Sequence, residues 1–145
     1  MSYSIRGVKY DDMPRIDEML ADLAKITIQR YGMEFDPNGL NAFKAPMINS
    51  SFVVEHEGRI VGLLAGQLTT NPATNELMYQ EMVWYIEDGH RGQGLKLLTH
   101  AQEYCRNNNV KFFIVGHMGN LNERLGTIYK RLGFDVLEIQ YIKEL

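Results

Sequence analysis

The sequence predicts a mixed α/β domain, a single sheet with helices packed on it. Three observations carry that reading. The run Met82-Val83-Trp84-Tyr85-Ile86 is extended and apolar. It breaks at Asp88-Gly89 and passes through Arg91-Gly92-Gln93-Gly94 into a helical pattern with Leu95, Leu98, Ala101 and Cys105 on one face. Two further strand-like runs, 51–56 and 60–68, flank Glu57-Gly58-Arg59, a hairpin composition. Finally, 145 residues with 45% hydrophobic and 23% charged content suit one domain with a real core.

Tyr3 to Val8 alternates as a first strand. Asp11 or Asp12 then caps a helix that tolerates Pro14 in its first turn. Met13, Ile16, Met19, Leu20, Leu23 and Ile26 repeat at three and four and form its core face, and Tyr31-Gly32 ends the element. Asp36-Pro37-Asn38-Gly39 is a turn, and Leu40 to Ile48 a short second helix. After the hairpin, Thr69 to Asn75 is a loop and Glu76 to Ile86 a long fourth strand. Asn107-Asn108-Asn109 stops the third helix, and Lys111 to Val115 is a buried strand. A fourth helix spans Asn120 to Leu132, with Asn120 and Glu123 at capping-box spacing, Leu121, Leu125, Ile128 and Leu132 buried, and Gly133 as its stop. Phe134 to Leu145 is expected to close the sheet with one or two strands, with Ile139, Tyr141 and Ile142 in the core. The order is β-α-α-β-β-β-α-β-α-β, a single domain over 1–145 without repeats or linkers.

Composition narrows the function. A net charge of −3 gives no reason to expect a nucleic-acid ligand. The single Cys105 excludes an intrachain disulfide, so a reducing cytoplasm is expected, with Cys105 as a small buried hydrophobe. No leader or apolar run of spanning length is seen, so neither export nor membrane insertion is expected.

The turn at residues 88–94 is the chemical centre. A strand-to-helix turn points free backbone N–H groups outward at the positive end of the helix dipole, which suits a phosphate. Gly92 and Gly94, lacking Cβ atoms, let a ligand approach the backbone. A P-loop is excluded because Gly94 is followed by Leu95-Lys96-Leu97. A dinucleotide fingerprint is excluded because a third glycine is missing and the turn lies past mid-chain.

Downstream, Asn122, Tyr129, Gly133 and Phe134 follow as Asn…Tyr-x-x-x-Gly-Phe. With Arg91-Gly92-Gln93-Gly94-Leu95-Lys96, which matches Arg/Gln-x-x-Gly-x-Gly/Ala in all but its last position, the chain resembles the GNAT family of acetyl-coenzyme A-dependent N-acetyltransferases. The resemblance implies the GNAT (acyl-CoA N-acyltransferase) fold and acetyl-CoA as acetyl donor. It implies direct attack of a primary amine, on a small molecule or peptide, at the thioester. By the same resemblance, the turn formed by Arg91, Gly92, Gln93, Gly94 and Lys96 would bind the pyrophosphate. Backbone groups of Trp84 and Ile86 would pair with the pantetheine arm, and Asn122 would bond it from the other side. Tyr129 would protonate the leaving sulfur as general acid. Lys96 departs from the family's small residue. It either crowds the amides or adds a phosphate contact.

The general base is left open. Glu81 on the fourth strand could act directly or through water. Gln80 stands nearer the position where one branch of the family has its glutamate, and it cannot take a proton. Glu87 and His117 are the alternatives, histidine being the side chain that ordinarily titrates nearest neutrality, and a fourth is that no base is used and the amine arrives deprotonated through bulk water. A competing expectation is a non-catalytic acyl-coenzyme A-binding sensor or interaction module. The apolar C-terminal strand suggests a homodimer, since exposed strand edges tend to be paired.

Overall fold

The computed structural model describes residues 2–39, 41–118 and 123–145, with no description of the side chains of 41–43. Its elements are β1 (Tyr3–Gly7), α1 (Met13–Thr27), α2 (Asn41–Ile48), β2 (Phe52–His56), β3 (Arg59–Thr70), β4 (Leu77–Ile86), α3 (Gly94–Asn107), β5 (Phe112–Ile114) and α4 (Glu123–Arg131). Short 3₁₀ turns precede α1 and α3 and follow α1. The five strands form one sheet in chain order, antiparallel except for the parallel β4–β5 pair. The expected class, mixed α/β, is the observed one.

Asp12 anchors the start of α1. Its carboxylate accepts the Lys9 N–H at 2.7 Å and takes both terminal nitrogens of Arg6 at 2.8 and 2.9 Å. Pro14 sits in the first turn, where its missing N–H is not needed. Tyr31 ends the following 3₁₀ turn at Gly32, which is left-handed. The β2–β3 hairpin turns through Glu57-Gly58, both at positive φ, as a two-residue connection requires.

Alternation along the strands divides the core in two. Phe52, Val54, Leu64 and Tyr79 pack with Leu97, Leu98, Ala101 and Cys105 of α3. On the opposite face Val53, Ile60, Leu63 and Ala65 pack with Ile16 and Met19 of α1 and Ile48 of α2. Three helix faces differ from expectation: Ile26, expected on the core face of α1, is exposed at its C-terminal end. Leu97 rather than Leu95 is buried in α3, and Leu95 is 48% exposed. In α4 Tyr129 is the buried side chain while Leu132 is exposed. Leu121, expected on the same face, lies outside the described residues.

The expected closing strands are not formed. Residues 134–145 carry no regular secondary structure, and Ile139, Tyr141 and Ile142, expected in the core, are exposed. The sheet edge onto which they would add, β5, is only three residues long, too short to hold a full partner strand.

Candidate functional site

The β3–β4 ladder contains one irregularity. Ala65 pairs with Val83 and Gly66 with Glu81, which leaves Met82 as an extra residue in β4. Beyond it Trp84 and Ile86 pack toward α3, while Val83 and Tyr85 pack toward α1. The expectation that Trp84 and Tyr85 face opposite sides holds.

The other edge of β4 is only partly covered. β5 pairs with Met78, Tyr79 and Gln80 and stops there. From Glu81 to Ile86 the β4 edge has no β5 partner among the described residues. The Trp84 ring lies between Gly94 and Tyr129, stacked on the latter with centroids 6.0 Å apart. Its buried Nε1 finds no hydrogen-bond partner among the described residues. A buried indole N–H without an acceptor is costly and normally answered by a ligand or water.

Where β4 and β5 part, one backbone unit gathers two side chains. The Gly116 N–H donates to the Glu81 carboxylate, and the Tyr129 hydroxyl donates to the Gly116 carbonyl at 3.0 Å. Burial pushes the Glu81 carboxyl up to about 7, only partly opposed by the Gly116 N–H. Burial also raises the Tyr129 phenol above its ordinary value, with a contribution from the Glu81 charge. Both groups therefore hold their protons at neutral pH more readily than in water, and a small change in surroundings moves the Glu81 proton.

His117 joins this cluster from the exposed side, its ring 6.1 Å from that of Tyr129. Gly126 makes room for it: a Cβ there would lie 3.0 Å from His117 Nε2. Glycine inside a helix costs about 1 kcal/mol relative to alanine, so this space has an energetic cost. Gly116 and Gly126 were not singled out by sequence reasoning. The glycine interrupting the Glu123–Arg131 helix was the available signal for the second, and nothing marked the first.

Glu87 is drawn away from the cluster. Burial opposes its ionisation, but hydrogen bonds from Arg59 and Arg15 outweigh this and hold it below the ordinary carboxyl range. Gln80 donates to the Glu81 backbone carbonyl at 3.2 Å. Cys105 is buried, its thiol pushed up to about 11 by burial, which makes it inert.

The turn before α3 is a 3₁₀ turn over Arg91–Gln93. Within it the Gln93 N–H goes to His90 O and the Gly94 N–H to Arg91 O. A Cβ on Gly94 would touch the Trp84 ring at 3.5 Å, an ordinary contact, whereas a Cβ on Gly92 would meet nothing within 4 Å. Protein packing therefore does not require glycine at 92, and the space beside it is open. Arg91 is exposed and pairs with exposed Asp88 at 2.8 Å. Lys96 is exposed on α3, so its side chain is not packed into the interior. Asn122 lies outside the described residues. Among those described, no helix is long and apolar enough to cross a membrane.

The sequence profile of the acetyltransferase (GNAT) family matches residues 16–134. No curated protein matches the chain in sequence. Among solved structures, ribosomal-protein-alanine N-acetyltransferase from Brucella melitensis biovar Abortus 2308 superposes with a TM-score of 0.78 at 13% identity, over 100% of both chains. Naa50 of Arabidopsis thaliana, in complex with the bisubstrate analogue CoA-Ac-MVNAL, gives 0.70 at 20% identity, over 98% of this chain and 91% of its own. An aminoglycoside acetyltransferase from an uncultured soil metagenomic sample gives 0.74 at 15% identity, over 100% and 99%. At these identities the likeness establishes the fold. Acceptors as different as a ribosomal protein and an aminoglycoside appear among these neighbours' names, so the fold does not select the acceptor.

Proposed function

The chain belongs to the acetyltransferase (GNAT) family, whose donor is acetyl-CoA, and we propose that it acetylates a primary amine with Glu81 as general base and Tyr129 as general acid. The observation that carries the residue assignment is the shared anchor. One residue, Gly116, faces the Glu81 carboxylate with its N–H, which favours the charged form, and accepts the Tyr129 hydroxyl at its carbonyl. A proton acceptor and a proton donor are thereby tied to one residue and close enough for the Glu81 charge to act on the Tyr129 phenol, in line with attack and departure at one carbon.

Three features support donor binding at this place. The β4 edge from Glu81 to Ile86 offers backbone groups to an extended arm. The Trp84 Nε1 is a buried donor without an acceptor among the described residues. The space beside Gly92, at the start of α3, is open to a phosphate. In this reading Trp84 and Ile86 bond the pantetheine arm, and the turn of Arg91, Gly92, Gln93, Gly94 and Lys96 takes the pyrophosphate, with Asn122 opposite. With the Gln93 and Gly94 amides bonded inside the turn, Arg91 contributes by leaving its exposed pair with Asp88. Acetyl-CoA supplies an activated acyl group. Glu81 removes a proton from the ammonium, and Tyr129 turns its hydroxyl from Gly116 O to the departing sulfur.

A second assignment of the base is favoured by one observation, the clearance that Gly126 gives His117 beside Tyr129. Coenzyme A release on a panel of amines tests the activity, and Glu81→Gln against His117→Gln separates the bases. Only the true base, when replaced, removes the ionisation from the rate profile. The reading as a whole fails if acetyl-CoA neither stabilises the protein nor releases coenzyme A with any amine. We infer also that two copies associate through residues 134–145, whose exposed apolar side chains include Val136, Leu137, Ile139, Tyr141 and Ile142.

A further inference from the structure

A cavity of about 240 Å³ lies on the α1–α2 face of the sheet, the face opposite α3. Met13 and Leu20 of α1, Met47 of α2, and Met82 and Val83 of β4 line it. Met82 is the extra residue of the β4 irregularity and directly follows Glu81. Glu81 itself does not line the cavity; its link to it is Met82, the next residue on the strand, whose Cα lies about 3.8 Å along the chain. Met82 is 46% exposed, so this wall is open to solvent.

The polar atoms on the cavity wall are already engaged. Lys44 Nζ is 2.9 Å from an Asp17 carboxylate oxygen, and Ser51 Oγ donates to the Met47 carbonyl at 2.7 Å. Neither is left to recognise a polar or charged substituent. Three methionines from three elements supply flexible, polarizable walls that adapt to unbranched apolar groups.

We propose that this cavity is the acceptor pocket and that the acceptor is a primary amine bearing an uncharged apolar substituent. The proposal rests on the acetyltransferase reading and deepens it. Such an amine is either a free alkylamine or the α-amine of a peptide that begins with an apolar residue, and the same cavity chemistry serves both.

The test uses the full chain with acetyl-CoA and follows coenzyme A release over the series ethylamine to octylamine. Further arms are spermidine, kanamycin and paired tetrapeptides beginning with Met or Ser. Each buried methylene is worth roughly fourfold in binding, so kcat/KM should climb roughly fourfold per carbon and level off when the cavity is full. A Met-first peptide outpacing every alkylamine identifies a peptide source, and the reverse identifies a free amine. Ala65→Leu narrows the cavity and should move the plateau to shorter chains, whereas Met47→Ala should move it to longer ones. Thermal shift with the same amines, without donor, reads the cavity independently of chemistry. A chain-length-dependent shift without turnover upholds the pocket and refutes acetylation. Turnover that is flat along the series, or fastest with spermidine or kanamycin, overturns the pocket and leaves acetylation standing. No length dependence in either measurement overturns the pocket outright.

Discussion

Replacing Glu81 by glutamine separates its cost to the fold from its use in chemistry. Glutamine keeps an oxygen to accept the Gly116 N–H and carries no charge. In the folded chain Glu81 holds its proton up to about pH 7, against 4.5 for an ordinary glutamate. Between those values the folded state binds more protons than the unfolded one, so the contribution of this group to stability falls as pH rises. Below pH 4.5 both states are protonated and the cost is absent; above 7 it is fully present. At 1.36 kcal/mol per pH unit it reaches about 3 kcal/mol. Relative to wild type, Glu81→Gln should therefore gain about 1 kcal/mol at pH 5.5 and about 3 kcal/mol at pH 8.5 in urea denaturation. Wild-type turnover should rise with pH through about 7, because only the carboxylate accepts a proton. The variant should lose that rise and about a hundredfold in rate. An equal stability difference at both pH values would refute the burial argument. A retained rate with an unchanged pH profile would remove Glu81 from the mechanism.

Tyr129→Phe keeps the ring packed on Trp84 and deletes the hydroxyl, so turnover should fall by about a hundredfold while acetyl-CoA affinity, read by calorimetry, changes little. Gly92→Val enters open space and should leave urea stability within about 0.5 kcal/mol of wild type, yet abolish the rise in Tm on adding acetyl-CoA; an undiminished rise excludes the turn as the phosphate site. Tyr141→Asp combined with Ile142→Asp should convert a dimer to a monomer by light scattering, and a wild-type monomer across a concentration series rules the dimer out.

Elements backed by two agreeing signals were legible in the sequence. The β2–β3 hairpin had alternating runs and a turn composition, and α1 had a proline suited to its first turn and a period of three and four, although Asp12 bonds the Lys9 N–H and makes no capping bond to α1. The start of α3 was equally clear because Asp88-Gly89 interrupts an apolar strand. The end of the chain was not. Ile139, Tyr141 and Ile142 alternate like a strand, but alternation states only which side chains would share a face, not whether a partner edge exists. β5 is too short to supply that edge, and the apolar residues remain exposed. Leu95 misled for a related reason: a helix face is set by its neighbours, and Leu97 is the residue buried in the core that holds Tyr79 and Leu64. Glu81 and Tyr129 could be named from sequence. Their common tie to Gly116 could not, because a backbone group carries no residue-type signal.

Met82 explains how one strand presents different residues to the two faces of the sheet, as the proposed donor and acceptor sites require. Counted by twos from Tyr79, which packs against α3, a regular strand would turn Glu81, Val83 and Tyr85 to that side. The extra residue reverses the parity: Trp84 and Ile86 join the α3 face, and Val83 and Tyr85 cross to the α1 face. Without it, Trp84 would leave Gly94 and Tyr129, and Val83 would leave the apolar cavity. The irregularity also lies at Glu81, just past the last β4–β5 pair, where the sheet stops satisfying the β4 edge. In the proposed reading, Glu81 sits at the open edge and its neighbour Met82 lines the apolar cavity, so donor and acceptor would reach the carboxylate from different sides.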